Sequence, residues 1–191
     1  MVDTKLTKSA GEHWVCSMLS RMNWAVALTR DGLERTDILA VQTSGERRVA
    51  EIQVKTANDT GSKTSWPITT KSQSIALTDR EWFVFVWLSG TRIVSPRAFI
   101  VPRNVVSAAA WIQHQAWLTD PSASAGKRNA PVDRARITMP TWAGYEDRWD
   151  LLDSSADDAP VLLPPGMRAQ ALLDRVGLPA GHPWEVELPD W

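Results

Sequence analysis

A short stretch of sequence places a carboxylate, an amide and an ammonium group at strand spacing. In RVAEIQVKT (48–56) polar and apolar residues alternate, which predicts a β-strand with Glu51, Gln53 and Lys55 on one face. Asp37 opens the preceding predicted strand, and it can lie beside Gln53 and Lys55 because antiparallel neighbours are about 5 Å apart. Oxygen ligands for Mg²⁺ next to a lysine that orients water suit phosphodiester hydrolysis.

The same pattern also has interpretations without chemistry. Asp37 can cap a strand, and E-x-Q-x-K can be a solvated strand face. Glu51 either supplies a further carboxylate or pairs with a basic neighbour, and we favour the pairing. Polar alternation alone therefore does not establish a site.

The elements that must position these residues form an α/β pattern. Apolar residues recur at three- and four-residue spacing over 7–23, which predicts an amphipathic helix whose polar side carries Glu12. The run WFVFVWL (82–88) is typical of a central strand covered on both faces. We expect a mixed β-sheet flanked by helices. The other predicted elements are strands at 24–29, 37–42, 48–56 and 98–101, a loop at 57–73, a helix at 104–118, and a short strand in ARITMP (135–140).

Three segments of the chain resemble a known family. GEHWV (11–15), TDILAV (36–41) and AEIQVKT (50–56) have the order and spacing of the PD-(D/E)xK nuclease superfamily. More narrowly, they resemble its E…D…QxK members, such as Mrr-type restriction endonucleases and Holliday junction resolvase-like groups. In those members glutamine replaces the acidic residue of the last motif. Thr36 departs from the family pattern, since a proline usually precedes the aspartate.

The resemblance assigns a role to one residue at each motif position. It implies a restriction-endonuclease-like core that hydrolyses DNA with Mg²⁺ or Mn²⁺, in defence against foreign DNA or in repair, often as a homodimer. The metal would be held by Asp37, by Gln53 through its side chain or the adjacent backbone carbonyl, and by Glu12, either directly or through water. Glu12 matches the helix glutamate, Asp37 the metal-binding aspartate, Gln53 the residue in the acidic position, and Lys55 the catalytic lysine.

Further residues are candidates for contact with substrate. Trp66 lies in the predicted loop, where it either stacks on an unpaired base or is buried beneath the loop. The other tryptophans fall mostly on apolar stripes and are expected in the core. The candidate substrate-binding residues are Arg47, Arg48, Lys63, Trp66, Lys71 and Gln73.

Composition restricts the class of protein. With 191 residues, 43% hydrophobic and 23% charged, the chain can form one domain with its own core. No apolar run approaches the roughly 18 residues of a membrane span. One cysteine and three histidines exclude a structural zinc site. The single cysteine and the lack of an apolar signal segment lead us to expect a cytoplasmic location.

Charge is distributed unevenly along the chain. Residues 57–140 carry 10 basic and 5 acidic side chains, whereas residues 141–191 carry 3 and 10. We expect a nuclease-like domain at 1–153 and an acidic, proline-rich tail or small subdomain at 154–191. The acidic end motivates an alternative function, in which a catalytically inactive nuclease fold binds nucleic acid or a basic protein partner. A globular protein with an inert polar strand face is the third interpretation.

Overall fold

The computed structural model describes residues 3–29, 33–61 and 64–191. The first half contains α1 Thr4–Arg21, β1 Trp24–Leu28, β2 Ile38–Gln42, β3 Val49–Asn58, β4 Ser65–Pro67, α2 Thr70–Gln73, β5 Glu81–Leu88, β6 Arg97–Pro102 and α3 Arg103–Leu118. The second half contains β7 Arg136–Thr138 and α4 Pro165–Ala171, with 3-10 helices at Val132–Arg134, Met139–Tyr145, Trp149–Asp153 and Pro183–Glu185.

Five strands form one mixed sheet in the order β1-β2-β3-β5-β6. β1, β2 and β3 are an antiparallel meander, β5 runs parallel to β3, and β6 runs antiparallel to β5. The first six residues of β5 are all buried, as predicted for a central strand. The expected α/β class, with a mixed sheet flanked by helices, is therefore confirmed.

The two faces of β3 meet different partners. Ala50, Ile52 and Val54 are buried and point to the face covered by α1, because Gly11 of that helix lies against Thr56 on the same side. The opposite face carries Gln53 and Lys55. Strand alternation thus divides β3 into an apolar packing face and a polar face.

Two predicted boundaries need correction. The first helix begins at Thr4 rather than residue 7, because the Asp3 side chain accepts a hydrogen bond from the Lys5 backbone N–H at 2.8 Å and caps the helix. The segment 57–73 is only partly a loop, since it contains β4 and the single turn α2. β4 pairs with β7, which lies in the ARITMP segment predicted as a strand.

Residues 154–191 pack against the entry to β5 and the start of α3. The Ala156 backbone N–H donates to the Asp79 carbonyl at 2.8 Å. His182 is 1% exposed, and its Nε2 donates to the Asn104 carbonyl at 2.9 Å. Within the described ranges, every helix is too short or too polar to traverse a lipid bilayer.

Candidate active site

A close contact between α1 and β3 positions Glu12. A Cβ atom added at Gly11 would lie 2.9 Å from the Thr56 Cβ and 3.0 Å from its Cγ2, which is closer than side chains pack. The absence of a side chain at Gly11 lets the helix lie directly on the strand. Glu12, the next residue of α1, is thereby carried toward the point where β2 begins.

Asp37 lies where β2 and β3 separate. Its backbone N–H donates to the Ile52 carbonyl at 2.9 Å, and its Oδ2 accepts a hydrogen bond from the Val54 N–H at 2.9 Å. The carboxylate therefore continues the β2–β3 ladder in place of a backbone carbonyl. The register pairs Ile38 with Ile52, so that Asp37 is opposite Gln53, as the sequence predicts.

Lys8 joins the two carboxylates. Its Nζ lies 3.2 Å from Glu12 Oε1 and 3.1 Å from Asp37 Oδ1. The structure thus brings together two carboxylates that are 25 positions apart and places one cation between them. Sequence reasoning missed Lys8, although its spacing of four residues from Glu12 on one helix is a detectable signal.

The environment of the site shifts the pKa values of three of its groups. Partial burial raises the pKa of Glu12; the Lys8 ammonium opposes this, and the Asp37 charge adds to it. Partial burial disfavours the charged form of Lys8, but ion pairing with Asp37 and Glu12 outweighs burial and raises the pKa of Lys8. Burial lowers the pKa of Lys55, and the positive charges of Arg103 and Lys8 lower it further. The negative charge of Asp37 acts in the opposite direction but does not outweigh burial. Lys55 therefore loses its proton more readily than an exposed lysine.

Gln53 belongs to a separate buried cluster of charges. Arg103 Nη2 donates to Gln53 Oε1 at 2.9 Å, and Arg103 Nε lies 2.6 Å from Glu81 Oε2. Arg35 Nη2 lies 2.8 Å from the same Glu81 oxygen. The Arg103 guanidinium stacks 4.6 Å from the centre of the Phe83 ring. Burial, together with the Arg35 charge, lowers the pKa of Arg103 to about 10 despite its pairing with Glu81.

This cluster revises the role predicted for Gln53. Arginine can only donate hydrogen bonds, so the contact at 2.9 Å fixes the Gln53 carbonyl oxygen toward Arg103. A second cation on that oxygen would be repelled by the guanidinium. The contact with Arg103 therefore disfavours the Gln53 side-chain oxygen as a metal ligand and does not involve the adjacent backbone carbonyl, the alternative ligand in the prediction.

The remaining donor set still suits Mg²⁺. Among the described residues no group of three or more His, Cys, Asp or Glu side chains could hold a metal ion. Mg²⁺, however, is commonly held by one or two carboxylates, with waters and substrate phosphates completing its shell. Glu12 and Asp37 form such a pair, and the Lys8 ammonium between them shows that a cation is accommodated there.

Glu51 is not part of this pair. The Arg80 Nε lies 3.6 Å from its Oε1, which confirms the favoured interpretation that Glu51 pairs with a basic neighbour.

Trp66 and Gln73 are structural residues and not substrate contacts. Trp66 is 1% exposed, and its ring lies edge-on to the rings of Phe85 and Phe99, so that no face is open to a base. Of its two predicted positions, the buried one is observed. Gln73 is 8% exposed, and its Nε2 donates to the carbonyls of Ile68 and Val132 at 2.7 Å each.

The basic substrate candidates are dispersed. Lys71 is exposed and pairs with Glu34 at 2.8 Å. Arg47 and Arg48 follow the far end of β2, which lies about 17 Å along the strand from Asp37 at roughly 3.3 Å per residue. Lys63 lies outside the described residues.

The geometry therefore unites Glu12, Asp37 and Lys8, places Asp37 against the β3 backbone one residue before Lys55, and joins Gln53 to Arg103. Comparisons of the chain with protein-family profiles, curated proteins and solved structures give no significant match.

Proposed function

We propose that this protein is a metal-dependent nuclease that hydrolyses DNA on a restriction-endonuclease-like core. One observation carries the proposal: carboxylates from α1 and from the start of β2 meet at a single cation position, and Asp37 accepts a hydrogen bond from the N–H of Val54, the residue before Lys55 on β3. Two carboxylates and a partly desolvated lysine are the groups that phosphodiester hydrolysis requires. The order of one helix, an antiparallel meander and a parallel strand supports the proposed core.

Each side chain of the site has a proposed role in hydrolysis. Glu12 and Asp37 would hold Mg²⁺, which when bound stabilises negative charge on the phosphate. Lys55 orients the attacking water or donates to the charged phosphate oxygens. The Gln53 amide N–H groups, aimed by Arg103, donate to an oxygen of the substrate. A role in defence or repair, as a homodimer, is part of the proposal.

Cleavage assays on several forms of DNA test the proposal. Supercoiled, linear, branched and single-stranded DNA are incubated with the protein and Mg²⁺ or Mn²⁺. We expect cleavage of at least one form, and its loss in both Asp37→Asn and Lys55→Met. Lys127→Met is the matched control because Lys127 is exposed and lies in a surface turn far along the chain. Cleavage that survives Lys55→Met would refute the assignment.

Calorimetry separates the enzyme from a binding module. If Mg²⁺ does not bind while DNA or a basic protein does, the inactive fold is the better description. For a basic protein partner, the acidic residues of 141–191 would then provide the binding surface.

A further inference from the structure

Lys8 differs in exposure from the carboxylates that it joins. Its side chain is 60% exposed, whereas those of Glu12 and Asp37 are 15% and 18% exposed. The ammonium therefore reaches the two carboxylates from the solvent side, at the end of a long and flexible chain. Both contacts are short, at 3.2 and 3.1 Å.

We infer that Lys8 fills the cation position in the metal-free protein and is displaced when a divalent cation binds. This inference rests on the proposed function. Two cations cannot share the space between Glu12 and Asp37, because like charges a few ångströms apart repel strongly in a partly desolvated site. Lys8 can leave because its end of each ion pair is exposed, so that its ammonium regains hydration when it leaves.

Displacement of the Lys8 ammonium also changes the charge that the site presents to a phosphate. With Lys8 in place, the charges of the two carboxylates and of the ammonium groups of Lys8 and Lys55 sum to zero. Once a divalent cation replaces Lys8, the same region is positive, and the released ammonium lies at the mouth of the site. A DNA phosphodiester is the anion that this charge would attract. Lys8 thereby couples cation binding to phosphate binding.

Titration calorimetry with Mg²⁺ tests the competition. Lys8→Met removes the resident cation, so we expect it to bind Mg²⁺ roughly twofold to thirtyfold more tightly than the wild type, the range that two lysine ion pairs give. Lys5→Met is the matched control: Lys5 is exposed on the same helix, and the substitution removes the same charge. We expect Lys5→Met to bind Mg²⁺ like the wild type. Equal or weaker binding by Lys8→Met would overturn the inference.

DNA binding tests the coupling. In a Lys55→Met background, which prevents cleavage, affinity for a short duplex is measured against salt with either Mg²⁺ or EDTA. With Mg²⁺ present, Lys8→Met should reduce the slope of log affinity against log salt concentration by about one phosphate contact. With EDTA, the same substitution should leave this slope unchanged. An identical loss in both conditions would show a constitutive phosphate contact and overturn the coupling.

The outcomes distinguish the two proposals. If the wild type and Lys8→Met bind Mg²⁺ equally, the metal site stands and the role of Lys8 fails. If neither binds Mg²⁺, the metal-dependent function and the competition both fail. Circular dichroism checks that Lys8→Met is folded. We expect that it is, because the Lys8 side chain is largely exposed.

Discussion

Gly11→Ala tests how the contact between α1 and β3 supports the site. The added Cβ would lie 2.9 Å from the Thr56 Cβ, whereas non-bonded carbons rest at about 3.5–4.0 Å. Rotating the Thr56 side chain cannot relieve a contact with its Cβ, so α1 must move from β3 by roughly 0.6 Å or more. Overpacking lowers the free energy of unfolding by about 3 kcal/mol when the contact is severe. Alanine offsets about 1 kcal/mol of this loss because it favours the helix more than glycine does. We expect the free energy of unfolding to fall by about 2 kcal/mol.

Urea denaturation followed by tryptophan fluorescence measures this change. Thr56→Ala removes the Cγ2 and Oγ1 contacts but keeps the Cβ, so Gly11→Ala should cost at least about 0.5 kcal/mol less in that background. Ser17→Ala, at an exposed position of α1, is the control for helix propensity and should not destabilise the protein. Because the shift of α1 moves Glu12, Mg²⁺ binding should also weaken in Gly11→Ala. Stabilisation by Gly11→Ala, or the same cost in both backgrounds, would refute the reasoning.

Two further predictions concern buried ionisable groups. Burial lowers the pKa of His182 from 6.5, and its Nδ1 accepts a hydrogen bond from the Trp184 N–H. Just below pH 6.5 this histidine is therefore protonated less in the folded protein than in the unfolded chain. The free energy of unfolding should fall as pH drops from 6.5, and urea titrations of His182→Gln should lack this decrease. Arg103→Met should lower the free energy of unfolding by about 3 kcal/mol, because Glu81 loses a buried partner at 2.6 Å. Lys71→Met, at an exposed ion pair, should leave the urea midpoint unchanged, and a midpoint loss equal to that of Arg103→Met would contradict this distinction.

Local periodicity predicted the meander and the residues at its edge. Alternation in 48–56 set the two faces of β3, and the short connection from β2 set the register that places Asp37 opposite Gln53. The continuous apolar run likewise predicted β5 as a central strand. These features depend on neighbouring residues, which is why sequence reasoning could find them.

Pairing between distant segments was not predictable in the same way. β4 is three residues long and has no period of its own, and its partner β7 follows about seventy positions later. Trp66 lies on β4 opposite Ile137, and this pairing directs the indole into the core. The sequence left its position open because composition does not show which side of a loop is covered.

Sequence alone determined that the polar face of β3 carries Gln53 and Lys55, and that Asp37 and Glu12 belong to adjoining elements. Only tertiary structure decided how these groups are used. It set Lys8 between the two carboxylates and turned the Gln53 oxygen toward Arg103, fifty positions away. The physical reason is that charge and hydrogen-bond preferences are fixed by residue type, whereas the partner that satisfies them depends on which distant side chains packing brings within a few ångströms.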